Sequence, residues 1–401
     1  MTIHDPITEL LERGVEEVIV RKELEEMVRS GKKLRVKFGI DPTAPEMHLG
    51  HLLPLRKLAA FQRLGHTVVF IMGDFTAMIG DPTGRNELRK PLSREETRKN
   101  AEDYLREAGK ILDIKKTEVH FNSEWLDPLG IAGLFELSSK VTVQRALERD
   151  DFKKRLNQNQ DISILETLYP LLQGYDSVAI RADVEIGGTD QKFNLLMGRR
   201  VQRRYNQDEQ NVMTLWLIEG ADGVRKMSKS YGNYISLRDT PEDIFGKIMS
   251  IPYDLIIKYL TTMSARPYAA VEELGVLWKN DRADFPARDV KGELAQEMVA
   301  LCHSEREAKR AEEEFIKIFQ KGEKPHDIEE KIVAKKNCYL FELLVEIGLA
   351  KSNSDGRRLI EGGGVSVDER RIEDPKEMIS LTKKAVIIKV GKRHFMKIKT
   401  A

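Results

Sequence analysis

The sequence of 401 residues has few cysteines, only Cys302 and Cys338. Two cysteines exclude a disulfide framework and a four-cysteine zinc site, and they favour a reducing compartment. No apolar run approaches the roughly 18 residues that span a bilayer. The polar, acidic amino-terminal stretch also lacks the pattern of a signal or transit peptide. We therefore expect a soluble, cytoplasmic protein with no contact to a membrane.

An excess of one charge is also lacking, since 66 Lys and Arg stand against 65 Asp and Glu. From Cys338 onward, however, 13 basic residues face 9 acidic ones. A basic tail on a mildly acidic body is typical of contact with a polyanion, although a solvated lysine-rich face explains it equally well. The hydrophobic share of 41% and the chain length favour a globular protein of two or three domains.

Two short apolar runs, residues 34–40 and 66–75, are separated by a turn and a helical pattern that ends at Gly65. This order predicts a βαβ unit with a parallel sheet. Residues 116–122 and 183–191 add further strands. The pattern predicts an α/β fold, a Rossmann-like doubly wound parallel sheet that binds ligands at the carboxyl ends of its strands.

The pattern changes after about residue 235, which we take as the end of a Rossmann-like domain over 1–235. Thr240 and Pro241 form a strong helix start, and the pattern looks helical throughout to about residue 335. We therefore predict an α-helical domain over 236–335. A small α+β domain over 336–401 follows, with two short helices and several strands.

A first candidate for chemistry is the string His48-Leu49-Gly50-His51, which follows a strand and begins a helix. The unpaired N–H groups of a helix start attract anions. Imidazoles three residues apart project on the same side and can donate to phosphate oxygens, and Gly50 lets a flat base approach the backbone. On its own, a histidine pair of this kind more often lies at the surface or caps a helix than takes part in catalysis.

A second candidate is Lys226-Met227-Ser228-Lys229-Ser230, after a glycine-containing turn. Two lysines and two hydroxyls within five residues can hold a polyphosphate. For a generic Lys-x-x-Lys the plainer interpretation is a basic surface loop.

A third candidate is a polar helix face formed by Tyr169, Gln173 and Asp176 at positions i, i+4 and i+7. A purely structural helix buries apolar side chains on its inner face. This face is therefore either solvated or lines a polar pocket, and the pattern alone favours neither.

Together these strings resemble the class I aminoacyl-tRNA synthetases. HLGH is similar to their HIGH signature, KMSKS is identical to their second signature, and the two lie about 180 residues apart on a Rossmann-like body. The resemblance implies activation of an amino acid with Mg²⁺-bound ATP and its transfer to tRNA. Such catalysis depends on positioning and on charge neutralisation at the α-phosphate, so no protein nucleophile and no protein-bound metal is expected.

Within that family the polar helix face, GDFTAMIGDP at 73–82 and GGTDQ at 187–191 resemble the tyrosyl branch. The resemblance implies catalytic roles for His48, His51, Lys226 and Lys229. It implies an ATP site formed by Asp41, Thr43, His48, Gly50, His51, Gly188, Asp190, Lys226, Lys229 and Ser230. It implies a tyrosine site formed by Thr76, Asp81, Tyr169, Gln173, Asp176 and Gln191.

In that site Asp176 is expected to accept a hydrogen bond from the phenol of tyrosine, while Tyr169, Gln173 and Asp81 hold the α-ammonium group. One position departs from the family pattern. Many tyrosyl members have a tyrosine four residues before the Asp-Pro-Thr aspartate, whereas this chain has Lys37. A lysine there resembles a bacterial subgroup, and we assign it no role from the sequence.

The C-terminal segment resembles a small RNA-binding fold shared with a ribosomal protein, which implies that Lys351, Arg357 and Arg358 contact phosphates of tRNA(Tyr). A small scaffolding domain is the alternative. The family also implies a homodimer, with residues 123–155 at the contact.

Three other functions stay open at this point. The related tryptophanyl branch carries similar signatures. A nucleotidyltransferase for a small metabolite can use the same H-x-G-H element, although such enzymes are shorter. A synthetase-derived RNA-binding protein without catalysis is the third possibility.

Overall fold

The structure is a computed structural model that describes residues 5–83, 92–318, 328, 330–334, 337–368, 370–382, 385–391 and 394–400. The chain divides into two compact units, Met1–Glu305 and Arg306–Ala401. The division into three domains with boundaries near 235 and 335 stays a prediction. Within the described ranges, every helix is too short or too polar to cross a bilayer.

The first unit contains a mixed set of strands and helices. Its strands are β1 (Val15–Ile19), β2 (Arg35–Ile40), β3 (Thr67–Met72), β4 (Glu118–Phe121), β5 (Val184–Gly188) and β6 (Asn211–Leu215). Its helices are α1 (Pro6–Glu12), α2 (Arg21–Arg29), α3 (Leu52–Arg63), α4 (Thr76–Ile79), α5 (Arg94–Ala108), α6 (Ser123–Ser139), α7 (Val143–Ala146), α8 (Asp150–Asn157), α9 (Ile164–Ile180), α10 (Lys192–Arg204), α11 (Pro241–Met249), α12 (Ile256–Met263), α13 (Tyr268–Asn280) and α14 (Ala287–Cys302).

The six strands form one sheet in the order β1-β6-β5-β2-β3-β4. The chain runs outward from β2 through β3 to β4 and then returns to the other side of β2 with β5 and β6, all five in parallel. This is the predicted doubly wound sheet, which is confirmed. Its switch point lies between β2 and β5, where such sheets leave a crevice at the carboxyl ends of the strands.

The central strands are apolar because helices cover both faces of a doubly wound sheet. All of β6 and all but the first residue of β3 are buried. Neither β6 nor β1 was predicted above. The edge strand β1 pairs antiparallel with β6 and has the sequence VEEVI, in which Glu16 and Glu17 are exposed.

Two helix starts show why the local sequence folds as it does. The side chain of Ser163 caps α9 by accepting from the backbone N–H of Glu166, and the Glu166 carboxylate accepts from the N–H of Ser163 in return. The predicted cap at Thr240 is confirmed, since its hydroxyl accepts from the N–H of Asp243 with Pro241 in the first turn.

The second unit combines helices with a five-stranded and a two-stranded sheet, ordered β10-β9-β12-β13-β7 and β11-β8. Its elements are α15 (Glu305–Ile316), β7 (Glu330–Val333), β8 (Asn337–Tyr339), α16 (Leu340–Glu346), α17 (Asn353–Glu361), β9 (Val365–Val367), β10 (Arg370–Ile372), β11 (Met378–Ser380), β12 (Val386–Val390) and β13 (His394–Thr400).

The expectation of helix throughout to residue 335 is wrong at β7. Residues Glu330–Val333 pair in parallel with β13, and Val333 is buried in the core of this unit. A four-residue segment with a mixed charge and apolar pattern has little preference of its own, so the distant partner strand decides its conformation.

Candidate active site

A cavity of about 370 Å³ opens at the switch point between β2 and β5. It brings together most of the residues that the sequence singled out. Those that line it are Asp41, Thr43, His48, Gly50, His51, Thr76, Asp81, Tyr169, Gln173, Asp176, Gly188, Asp190, Gln191 and Lys226. Lys229 and Ser230 are not among the lining residues, whereas Asn122 and Glu185, which the sequence did not indicate, are.

The two histidines of the first signature are in contact, with ring centroids 4.1 Å apart and ring planes tilted by 50°. Nδ1 of His48 accepts from the N–H of Gly50 at 3.2 Å, so its proton sits on Nε2, which is then a donor. A Cβ at Gly50 would lie 2.9 Å from the His48 ring, so only glycine fits beside it. Burial lowers the pKa of His51 to about 4 and that of His48 well below its usual value. Both imidazoles are therefore neutral at pH 7.

The second signature lies beside the first. The N–H of Leu49 donates to the carbonyl of Ile235 at 2.9 Å, and Lys229 Nζ donates to the carbonyl of Glu46. The Glu46 carboxylate in turn accepts from the hydroxyls of Tyr234 and Ser236. The segment before His48 is thus bonded to the loop that carries the lysines, although the two are far apart in sequence.

Lys226 is the lysine of this loop that lines the cavity. Its Nζ lies 2.8 Å from Asp190 Oδ2, and both side chains are partly exposed. The backbone N–H of Met227 donates to Ile218 O at 2.7 Å. This bond holds the loop against the segment that follows β6. The pair places a cation and a carboxylate where the sequence expects the phosphates and ribose of ATP.

Asp41 connects the expected nucleotide and tyrosine sites. Its carboxylate accepts from the hydroxyl of Tyr169 at 2.9 Å and from that of Thr76 at 2.7 Å. A Cβ at Gly73 would overlap Asp41 Oδ1 and Thr76 Oγ1, so the absence of a side chain there makes this approach possible. Burial raises the pKa of Asp41 to about 7, against the opposing effect of both hydrogen bonds.

Asp176 is buried on α9 and accepts from Trp125 Nε1 at 2.8 Å. Burial raises its pKa to about 7, while the charge of Lys37 and the hydrogen bonds from Trp125 and Asn122 lower it. The sequence did not indicate Trp125 or Asn122. The position of Asn122 directly after β4, at the carboxyl edge of the sheet, is the signal that could have suggested it.

Asp81 and Gln191 meet on the other side of the cavity. Gln191 Nε2 donates to Asp81 Oδ2 at 2.6 Å, and Thr83 donates to Asp81 Oδ1 through its N–H and its hydroxyl. Arg149 Nη2 lies 3.8 Å from Asp81 Oδ1. The residues expected to hold the ammonium and the carboxylate of an amino acid therefore lie next to each other.

Lys37 does not line the cavity. It is fully buried, and its Nζ lies 2.8 Å from each of three atoms: Glu185 Oε1, Gln173 O and Ser177 Oγ. Glu185 does line the cavity and is buried as well. Among the described residues no cluster of three or more His, Cys, Asp or Glu side chains is arranged to hold a metal ion.

Comparison with known proteins is consistent with this geometry. Residues 29–320 match the family described as tRNA synthetases class I (W and Y), and residues 320–398 match the Tyrosine--tRNA ligase SYY-like C-terminal domain. The chain is 51% identical to a tyrosine–tRNA ligase of Thermotoga maritima over 390 residues, which covers 97% of this chain and 96% of the relative. It is 48% identical to that of Carboxydothermus hydrogenoformans over 399 residues, which covers 97% of each.

Solved structures share the fold. The tyrosyl-tRNA synthetase of Archaeoglobus fulgidus, complexed with L-tyrosine, superposes with a TM-score of 0.61 at 24% identity, over 77% of this chain and 100% of that chain. A truncated mitochondrial enzyme from Coccidioides posadasii gives 0.62 at 24% identity, over 77% and 91%. At such identities the likeness concerns the fold alone.

Proposed function

The chain belongs to the class I tRNA synthetases for tryptophan and tyrosine, and on this premise we propose which of its residues perform each step. Its activity is that of a tyrosine–tRNA ligase. It activates L-tyrosine with ATP to give tyrosyl-adenylate and pyrophosphate, and then transfers tyrosine to the 3′ end of tRNA(Tyr). Relatives at about 50% identity carry this activity in their names, which separates the chain from the tryptophanyl branch and from metabolite nucleotidyltransferases.

The observation that carries the residue assignment is the buried Asp176 in the cavity, with Trp125 Nε1 on one of its oxygens. Its second oxygen is the acceptor for the phenolic hydroxyl of tyrosine. Phenylalanine would leave this acceptor desolvated and without its partner, which disfavours its binding. A tryptophan side chain offers an N–H at a different distance from the backbone, so it does not match the same acceptor.

The α-ammonium group of the substrate is held by Tyr169, Gln173 and Asp81, with Thr76 beside it and Gln191 near the carboxylate. Support comes from the bonds already present, since Gln191 orients Asp81 and Asp41 orients Tyr169. These contacts leave the substrate carboxylate directed at the nucleotide side of the cavity. Placing the attacking oxygen close to the α-phosphorus supplies much of the rate acceleration.

ATP occupies the part of the cavity lined by Asp41, Thr43, Gly50, Gly188 and Asp190. The neutral imidazoles of His48 and His51 donate N–H groups. Lys226 and Lys229 neutralise charge on the phosphates, and the hydroxyl of Ser230 donates a hydrogen bond to them. The tyrosine carboxylate forms a bond to the α-phosphorus as the bond to the pyrophosphate oxygen breaks, so no side chain acts as nucleophile. When Lys226 turns to the phosphates, it releases Asp190 to accept from a ribose hydroxyl.

The magnesium ion is proposed to arrive with ATP, because the carboxylates of the cavity are engaged in other bonds. Asp190 bonds Lys226, Asp41 bonds Tyr169 and Thr76, and Asp81 bonds Gln191. Triphosphate oxygens and water are the ligands that Mg²⁺ prefers in such sites.

Recognition of tRNA is proposed for the second unit through Lys351, Arg357 and Arg358. The guanidinium of Arg357 lies 4.2 Å from the Phe341 ring centroid, and that of Arg358 donates to Asp355 at 2.6 Å. Both side chains belong to α17 and are exposed, so a phosphate backbone can reach them. Contacts of this kind position RNA without reading bases.

We also propose a cytoplasmic homodimer. Large apolar side chains are exposed along α6, α7 and the start of α9, namely Ile131 at 73%, Phe135 at 70%, Val143 at 75% and Ile164 at 81%. Exposed apolar surface of this size is typical of a protein interface. A second copy of the chain is the proposed partner. Ile131, Phe135 and Val143 lie within the contact expected over 123–155, and Ile164 lies beyond it.

The test is ATP–pyrophosphate exchange by the purified protein with tyrosine, tryptophan or phenylalanine as the amino acid. Exchange with tyrosine alone is the expected result. Exchange with tryptophan but not with tyrosine would overturn the substrate assignment. No exchange together with retained tRNA binding would instead support an RNA-binding protein without catalysis.

A further inference from the structure

The parallel register of β2 and β5 places Lys37 directly opposite Glu185 at the switch point of the sheet. Both side chains point towards α9 and are buried, with exposures of 0% and 1%. The distance from Lys37 Nζ to Glu185 Oε1 is 2.8 Å. Burying two paired charges costs free energy, and burying one of these charges without its partner costs more. The two residues therefore have to be retained or lost together.

The pair is bonded to the helix that recognises tyrosine. Lys37 Nζ donates to the carbonyl of Gln173 and to the hydroxyl of Ser177, each at 2.8 Å. Glu185 accepts from Ser177 Oγ at 3.2 Å and from Gln173 Nε2 at 3.4 Å, as well as from Gln210 Nε2. Gln173 is therefore held through both its backbone and its side chain.

Asp176 lies one turn along the same helix, and its surroundings are mostly acidic. The charged and titratable groups that act on it are Lys37 from β2, Glu185 from β5, and Asp41 and Tyr169 from the tyrosine side of the cavity. Lys37 is the cation of this set. Its charge lowers the pKa of Asp176 against the larger effect of burial, and the charge of Glu185 raises it.

We propose that Lys37 is a positioning residue for tyrosine specificity: paired with Glu185, it fixes Gln173 through its backbone and side chain, one turn along α9 from the phenol acceptor Asp176. Lys37 touches neither substrate. Its charge favours the ionised form of the Asp176 carboxylate, which accepts the phenol better than the protonated form, against the opposing effect of burial. The inference rests on the proposed function, since it concerns the same tyrosine site.

The experiment compares the pH dependence of kcat/KM for tyrosine, in ATP–pyrophosphate exchange, for the full chain and three variants. Lys37→Met removes the cation at similar volume, Glu185→Gln removes the anion, and the double variant removes both. In the unsubstituted chain we expect kcat/KM to rise with pH through the Asp176 pKa, about 7. We expect the midpoint to move up by about one pH unit in Lys37→Met, which is about tenfold in kcat/KM near pH 6.5.

The expected shift in Glu185→Gln is in the opposite direction, and the double variant should lie between the two single variants. KM for ATP should stay unchanged in all of them. A matched control is Lys57→Met, because Lys57 is also buried, at 4% exposure, and bonds the carbonyls of Glu9 and Leu10 away from this cavity. It should lower stability without moving the pH midpoint.

Opposite shifts in the two single variants support the inference, whereas equal shifts or none would overturn it. If Lys37→Met does not fold, Glu185→Gln and the double variant still decide, because their midpoints are predicted separately. Failure of the unsubstituted chain to exchange with tyrosine would reject the proposed function instead. Normal exchange with an unmoved midpoint in Glu185→Gln would reject this inference alone.

Discussion

Lys226 and Asp190 form an ion pair at the cavity between β2 and β5, Nζ to Oδ2 at 2.8 Å. The proposed roles of the two side chains lie on different parts of ATP, so nucleotide binding must separate them. With 38% and 24% of the side chains exposed, the pair is worth at most about 1 kcal/mol. Breaking it therefore costs little compared with the contacts that ATP provides, and Lys226 remains available to the phosphates.

The loop lysines should act on the transition state more than on substrate binding. We expect Lys229→Ala and Lys226→Ala to slow tyrosyl-adenylate formation by about 10²–10³-fold, while the Kd for tyrosine changes little. Rapid-kinetic measurement of single-turnover adenylate formation checks this. Lys32→Ala is the control, since Lys32 is exposed and pairs with Asp183 outside the cavity. Equal losses in rate and in tyrosine affinity would contradict the assignment.

Discrimination against phenylalanine should depend on Asp176. In Asp176→Ala we expect the ratio of kcat/KM for tyrosine to that for phenylalanine to fall by about 10–100-fold, because the buried acceptor is removed. Trp125→Phe keeps the carboxylate but removes its indole donor, so it should change the ratio less. Pyrophosphate exchange with both amino acids measures the ratio. A ratio unchanged in Asp176→Ala would refute the role.

Stability should respond to pH through the same carboxyl group. Burial raises the Asp176 pKa from 3.8 to about 7, so between these values the folded state holds a proton that the unfolded state releases. Stability from this group is therefore lost as pH rises through that window. Asp176→Asn should unfold at a higher Tm than the unsubstituted chain at pH 8, by roughly a few degrees, and the gain should shrink at pH 5.

The control for this prediction is Asp183→Asn. Asp183 accepts from Lys32 Nζ and from the N–H of Arg35, both at 2.8 Å, so its amide variant should lose stability at both pH values. Thermal unfolding at pH 5 and pH 8 measures each difference. A gain for Asp176→Asn that is larger at pH 5 than at pH 8 would have the wrong sign.

The proposed homodimer should be weakened when a charge enters the exposed apolar face of α6. Phe135→Asp is expected to lower the dimer affinity by at least about tenfold, because an ionised carboxylate is costly to bury in an interface. Light scattering after size-exclusion chromatography reports the mass. Val276→Asp is the control, since Val276 is 57% exposed on α13, away from that face. A Phe135→Asp protein of unchanged dimer affinity would place the interface elsewhere.

Transfer to tRNA should be separable from activation. Replacing Arg357 and Arg358 together by Ala should weaken tRNA binding and reduce its salt dependence, while pyrophosphate exchange stays normal. Aminoacylation assays at two salt concentrations check this, with Arg370→Ala on β10 as a control.

A truncation for the same purpose should remove the chain from before Glu330 onward, because a cut at residue 338 would leave β7 without its partner strand β13.

Much of the lining of the cavity could be predicted because its residues lie in short local patterns. The Asp176 face follows from helical spacing, and His48 and Lys226 lie in recognisable strings. Trp125 and Asn122 could not be predicted in the same way, since Trp125 contacts Asp176 where the segment after β4 crosses α9, and Asn122 donates to Thr76 at the start of α4. Local patterns say little about such crossings.

The Lys37–Glu185 pair and β7 show the same limit. Lys37 and Glu185 are far apart in sequence and meet only through the register of β2 and β5. The residues of β7 have no strong local preference, and their strand exists because β13 lies beside it. Sheet register is a long-range property, so the fold class was predictable whereas these two pairings were not.

The antiparallel edge pairing of β1 and β6 also has a consequence for the order of events during translation. Residue 15 leaves the ribosome about 200 residues before its partner, residue 215. At about 5–20 residues per second, β1 waits roughly 10–40 s as an unpaired strand. Glu16 and Glu17 place two negative charges among its apolar side chains. These charges disfavour pairing of the nascent strand with neighbouring chains until β6 is made.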